Sequence, residues 1–270
     1  MIPPGRISMK HISSTDNPLI KSLSLLQLAK HRKKTGLYMA EGEMSASEAI
    51  RRNVLPRQVL FTENYTSHEI IREFQCRKVD TVLCAEKCYR KLSDAGAEQG
   101  IAMVLNIPQA PEVSDFPNRG AVLCACQVQD PGNMGTLIRT AEALGAAAFL
   151  SVAPCADTWN PKVVRSSSGS VLNFPVFRCE LDCAREMIEK VAAQVLAGVA
   201  SGGKPVDQIP VSEPVVVVTG NEARGIDPAL LPESAQRVSI PLTNHVESLN
   251  ASVAGAIMLY EVMKKYHENA

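Results

Sequence analysis

The sequence predicts an α/β protein of two domains. Three observations carry that prediction. Short apolar runs alternate with helix-period segments along most of the chain, a proline-rich break divides it, and apolar residues make up 46% of its 270, enough for packed cores. Charged residues are 21% and there is no low-complexity tract, which excludes wholesale disorder. No apolar run approaches the ~20 residues that span a bilayer. Residues 1–10 lack a signal-peptide core. No membrane association is expected. The eight cysteines form no C-x-x-C pair and no zinc-finger spacing, so reduced, structural thiols and a cytoplasmic setting are expected, with no metal.

In the first domain (1–106), Asp16 or Asn17 can cap a helix with Pro18 at its first position. Leu19, Leu23, Leu26 and Ala29 continue it at helical spacing, up to the basic run Lys30-His31-Arg32-Lys33-Lys34 and Gly36. A short apolar run follows at 37–40, then a helix at 45–51 and a strand at 58–62. After these come a helix at 70–76, a strand at 81–83, a helix at 87–93 and a strand at 100–105. The linker, 107–119, carries three prolines and no periodicity.

The second domain (120–270) alternates more clearly. Strands are expected at 121–128, 146–152, 175–179, 194–200, 215–219 and 237–242. Helices are expected at 136–144, ended by Gly145, at 182–193, and at 249–266. Strands apolar throughout and separated by helices imply a parallel sheet covered on both faces. Ligands of such sheets bind outside the carboxyl ends of the strands.

Charge is uneven although it sums to zero. Residues 1–105 hold 16 Lys and Arg against 11 Asp and Glu; the remainder holds 12 against 17. A basic first half is the footprint of a polyanion partner, with a solvated surface as the alternative. The run Lys30, Arg32, Lys33 and Lys34 is the expected RNA contact.

Three loops at expected strand ends are unusual. The first, QDPGNMGTLIRTAE (129–142), places Asn133 where a helix begins and Arg139 six residues on. The second, VTGNEARGI (218–226), sets an amide and an acid between two glycines, which permit close backbone approach to a ligand. The third, SIPLTNHVESLNASVA (239–254), leaves a strand through Pro241 and enters the last helix near Ser248, a plausible cap. Each alone is equally compatible with a tight turn or a capped loop. None is a dinucleotide G-x-G-x-x-G or a P-loop, which tells against a nucleotide-dependent dehydrogenase.

Together, DPGNMGTLIRTAEALGA, VVVVTGNEARGI and SIPLTNHVESLNASVAGAIMLYE resemble the three motifs of the SpoU (TrmH-like) RNA ribose 2′-O-methyltransferases of the SPOUT superfamily. The likeness runs from about 120 to 267. A weaker one, ISSTDNPLIKSL and KHRKKTGLYMAEG, extends into the first domain, and NPKVVRSSSGSVLNFPV resembles the subgroup that modifies large-subunit ribosomal RNA.

The resemblance implies a sheet threaded into a trefoil knot, bound S-adenosylmethionine, an RNA substrate and a homodimer. It places the cofactor at Thr219, Gly220, Asn221, Ile240, Pro241, Leu242 and Leu249, and catalysis at Asn133, Arg139, Glu222, Ser248 and Asn250. In the family the arginine matching Arg139 is held to assist deprotonation. A guanidinium is a poor base, so a clamp on phosphate and developing alkoxide is the better physical role. His245, near neutrality in its ordinary pKa, is the rival base. The closing helix is apolar almost all round (Leu249, Val253, Ala256, Ile257, Leu259, Tyr260, Met263), more than one core face needs. A transfer-RNA enzyme and a non-catalytic RNA-binding dimer remain the alternatives.

Overall fold

The structure, a computed structural model, describes residues 10–65, 67–93, 99–243 and 248–269, the last three by backbone alone. His245 lies outside the described residues. The chain divides into two compact units: Met1–Pro108 with Trp159–Leu172, and Gln109–Thr158 with Asn173–Ala270.

In the first unit, β1 (Lys10–Ile12), β2 (Leu37–Glu41), β3 (Gln58–Phe61), β4 (Asp80–Cys84) and β5 (Ile101–Asn106) form one sheet in the order β1-β4-β3-β5-β2. β1, β4 and β3 are parallel; β5 runs antiparallel to β3 and β2. Successive side chains on a strand point to opposite faces. Tyr38, Phe61, Ile101 and Met103 therefore enter one core, and Met39, Leu60, Ala102 and Val104 the other.

The single helix expected from Pro18 to Lys34 is two, α1 (Pro18–Ser24) and α2 (Ala29–Thr35), separated by a tight turn and an extended Leu28. The break has a cause. Arg32 is only 2% exposed, and its Nη1 donates to the carbonyls of Leu26 and Gln27, each at 2.7 Å. Arg32 therefore fills a structural role, and the expected basic contact reduces to Lys30, Lys33 and Lys34, all exposed on α2. Within residues 10–108 the chain also forms α3 (Glu43–Arg51), α4 (His68–Cys76) and α5 (Glu86–Leu92).

The second unit begins inside the expected linker: Phe116 is buried and meets the Phe177 ring edge-on at 5.3 Å. Then come β6 (Ala121–Cys126), α6 (Pro131–Ala143) and β7 (Ala148–Val152). The chain leaves as α7 (Pro161–Ser166), which belongs to the first unit. It returns through β8 (Val176–Cys179), α8 (Leu181–Lys190), β9 (Gln194–Gly198), β10 (Lys204–Pro205), β11 (Val215–Thr219), β12 (Gln236–Ser239) and α9 (Ala251–Asn269). The seven strands are ordered β10-β12-β9-β11-β6-β7-β8, every pair parallel. β6, β7 and β11 are buried throughout, as a sheet covered on both faces requires.

The return of 159–172 to the first unit differs from its expected place in the second domain. Trp159, Val164, Val171 and Leu172 join the core of Tyr38 and Phe74, with the Trp159 and Tyr38 rings 4.6 Å apart. The eight cysteines are free, and no described helix is long and apolar enough to cross a membrane.

Candidate active site

Because the strands of the second unit are parallel, their carboxyl ends share one edge of the sheet. The loops leaving β9, β11 and β12 there enclose a cavity of about 450 Å³, within the range of small-molecule sites. Of the residues the resemblance assigns to the cofactor, Thr219, Gly220, Asn221, Ile240, Leu242 and Leu249 line it; Pro241 is exposed and is not among the lining residues. Val238, Ile226, Ala254 and Met258 add apolar walls, and Glu222 and Ser248 stand in the same lining.

Gly220 is required by its surroundings. A Cβ there would fall 2.4 Å from the Gly225 backbone. The loop doubles back at this point. Asn221 and Gly225 exchange both backbone hydrogen bonds at 2.9 Å, and Gly225 takes φ +71°. Thr219 ties the end of β11 to the start of α9, its hydroxyl donating to the Ala251 carbonyl at 3.2 Å.

The expected amide at 133 lies inside a helix. α6 starts at Pro131, five residues before the predicted start, because Asp130 caps it by accepting from the Asn133 N–H at 2.8 Å. Glycines at 132 and 135 weaken the local helical pattern and hid this start. α9 begins at Ala251, and its cap is Asn250 rather than Ser248: Asn250 Oδ1 accepts from the N–H groups of Ser252 (2.9 Å) and Val253 (3.3 Å).

These two helix starts and the β11 loop meet in one polar cluster. Asn133 Nδ2 donates to Glu222 Oε1 at 2.5 Å, and Asn133 Oδ1 accepts from Asn250 Nδ2 at 3.0 Å. The structure thus brings Asn133, Glu222 and Asn250 together, and Ser248 stands with Glu222 in the cavity lining. Arg139 lies on the exposed side of α6, six residues beyond Asn133, about 9 Å along the axis at 1.5 Å per residue.

Ser252 is the member sequence reasoning missed. It is 6% exposed, and its hydroxyl lies 2.6 Å from Asn250 Oδ1 and 3.3 Å from Asn133 Oδ1. One proton therefore faces two acceptors and holds both amides in orientation. Its signal was the lone hydroxyl in the first turn of α9, set among Ala251, Val253, Ala254 and Gly255.

Cys155 ties the chain just before the first loop to the end of β7. Its Sγ accepts from the Val128 N–H at 3.2 Å and donates to the Val152 carbonyl at 3.0 Å. Burial pushes the Cys155 and Cys126 thiols above the usual range, so both act as small neutral hydrophobes.

Known proteins show the same organisation. Residues 120–260 match the family model described as the SpoU rRNA Methylase family, and residues 17–103 match the MRM3-like substrate binding domain. The 23S rRNA (guanosine(2553)-2′-O)-methyltransferase RlmP of Bacillus subtilis is 32% identical across 94% of this chain and 99% of its own. The 23S rRNA (uridine(2479)-2′-O)-methyltransferase of Streptomyces viridochromogenes is 34% identical over 50% of this chain and 49% of its own. Among solved structures, the AdoMet-bound rRNA methyltransferase from Sinorhizobium meliloti superposes with a TM-score of 0.85 at 26% identity, covering 95% of this chain and 98% of that one. On sequence and fold alike, the chain belongs to the SpoU rRNA methylase family.

Proposed function

We propose that this protein transfers a methyl group from S-adenosylmethionine to a ribose 2′-hydroxyl of large-subunit ribosomal RNA. One observation carries the reading: a cofactor-sized cavity at the strand ends shares Glu222 with a cluster of fixed amides and hydroxyls.

The lining suits the cofactor. Side-chain-free backbone at Gly220 permits close approach, Ile226, Ile240, Leu249 and Met258 offer apolar faces for a planar base, and Glu222 supplies a carboxylate for a cation. When bound, S-adenosylmethionine supplies an already activated methyl group. The chain's own residues must then orient the ribose and stabilise the charge that develops on its oxygen. Asn133, Asn250 and Ser252 orient, Ser248 in the cavity lining contacts the ribose, and Glu222 fixes the Asn133 amide. Arg139 clamps an RNA phosphate and the developing alkoxide. Alignment of this kind is worth about 7 kcal/mol or more of a barrier.

Ribosomal RNA is supported by the RlmP relative, which matches along nearly the whole chain, and by the substrate-binding domain match at 17–103. Lys30, Lys33 and Lys34 supply phosphate contacts. Eight free cysteines fit a reducing, cytoplasmic setting. Val253 (46% exposed) and Tyr260 (54% exposed) leave an uncovered stripe on α9, which supports a homodimer through this helix. A monomer in sedimentation at micromolar concentration would count against that dimer.

The function is tested by incubating the purified protein with methyl-labelled S-adenosylmethionine and either 23S ribosomal RNA or bulk transfer RNA, then mapping ribose methylation. Label in one ribose of 23S RNA is expected. Label confined to transfer RNA would move the substrate. Cofactor and RNA binding without label would make the protein a binding module.

A further inference from the structure

Gln127 occupies the turn between β6 and α6 with left-handed backbone, φ +59°, a conformation glycine and asparagine adopt more readily than glutamine. Its contacts hold it there. Its carbonyl accepts from Asn221 Nδ2 at 3.1 Å, and its own Nε2 donates to Asp227 Oδ2 at 3.1 Å.

Both partners organise the loop that walls the cavity. Asn221 Oδ1 accepts from the N–H groups of Ala223 (2.9 Å) and Arg224 (3.1 Å). Asp227 Oδ1 accepts from the Ala229 N–H (3.0 Å), which caps the short helical turn Pro228–Leu230. The segment 221–227 is therefore pinned at both ends to one residue of another loop, and Asn221, Gly225 and Ile226 within it line the cavity. Three residues after Gln127 stands Asp130, the cap that starts α6 and presents Asn133 to Glu222. Gln127 thus lies between the cavity wall and the polar cluster.

We propose that Gln127 is a positioning residue for methyl transfer: it sets the 221–227 wall for the cofactor and fixes the same setting at Asn133 through the first turn of α6. The unfavourable backbone is retained because a carbonyl and an amide side chain must point at Asn221 and Asp227 from one position. The proposal rests on the methyltransferase reading above.

Titration calorimetry with S-adenosylmethionine and single-turnover methylation of 23S RNA at saturating cofactor test it on the full-length protein. Gln127→Glu sets a second carboxylate against Asp227 and should weaken cofactor binding about tenfold. Asp227→Asn alone should change little, since the Gln127 amide can turn its oxygen toward the new donor. The pair Gln127→Glu with Asp227→Asn again faces a donor with an acceptor, and should return affinity to within about twofold of the wild type. Gln127→Gly keeps the carbonyl and relaxes the backbone. It should hold or raise the thermal midpoint while lowering cofactor affinity and the transfer rate, opposite signs that a merely structural role does not produce. Unchanged binding in Gln127→Glu and Gln127→Gly, loss only in step with the thermal midpoint, or no rescue in the pair would overturn the proposal. A wild-type protein that binds no S-adenosylmethionine overturns the functional reading and this inference with it; wild-type binding with unaffected variants overturns this inference alone.

Discussion

Both ends of the Asn133 amide are engaged, its nitrogen by Glu222 and its oxygen by Asn250 and Ser252. That fixes which atom faces which neighbour, and it leaves charge stabilisation to a residue outside this web. Arg139 is the residue we propose for that need. If it clamps phosphate and alkoxide, Arg139→Lys keeps the charge but loses the bidentate fork and should retain part of the activity. Arg139→Ala should lose far more, roughly 100- to 1000-fold, in the single-turnover rate and not in cofactor affinity. The reverse pattern, with affinity lost and rate kept, would move Arg139 to the cofactor. Gly220 makes a sharper steric case. Because a Cβ would sit 2.4 Å from backbone atoms of Gly225, no rotamer change can relieve Gly220→Ala. The loop must open, and S-adenosylmethionine affinity by calorimetry should fall about tenfold or more, some 1.4 kcal/mol. Unaltered affinity would show that the cavity tolerates a wider loop.

Among the described residues, four helix or turn starts share one device, an Asx residue followed by proline: Asn17-Pro18, Asp130-Pro131, Asn160-Pro161 and Asp227-Pro228. In each the Asx side chain accepts a backbone N–H of the first turn, and the proline supplies a preset φ without wasting a donor. The sequence reading starts a helix from the first, but it starts α6 from the apolar pattern at 136, five residues too late. Strands were more legible. β11 was read to the residue because a strand buried on both faces is a continuous apolar run. β1, only three residues long, gives too little pattern to read. The fate of Arg32 and of 159–172 was not legible at all, since local periodicity reports which face is apolar but not which core it will join. For the latter element the packing makes a clear forecast. Trp159 is 7% exposed against Tyr38, so Trp159→Ala should cost about 3–5 kcal/mol by denaturant melting. A loss below ~1 kcal/mol would mean that the segment merely rests on the first unit.

Across the molecule, the first 105 residues carry a basic excess and the rest an acidic one; under the proposed function the basic part captures the polyanion. Phosphate contacts make RNA affinity fall with salt, by roughly 0.7 in log–log slope for each contact to a single strand. Reversing Lys30, Lys33 and Lys34 together should flatten that slope by up to about 2 and leave cofactor binding intact. Arg32→Met should instead lower stability, with the slope kept, because its two carbonyl partners are internal. An unchanged slope in the triple variant would mark these lysines as an ordinary solvated helix end. The route of the backbone has a consequence for synthesis. The first unit lacks Trp159–Leu172 until the 64 residues Gln109–Leu172 have also been made. At about 5–20 residues per second, that is a wait of roughly 3–13 s. Until then the Tyr38 ring and its neighbours lie open on the nascent chain, so the amino-terminal half cannot mature first, as leading domains commonly do. A single cut between 109 and 119 leaves its missing piece attached to the other fragment.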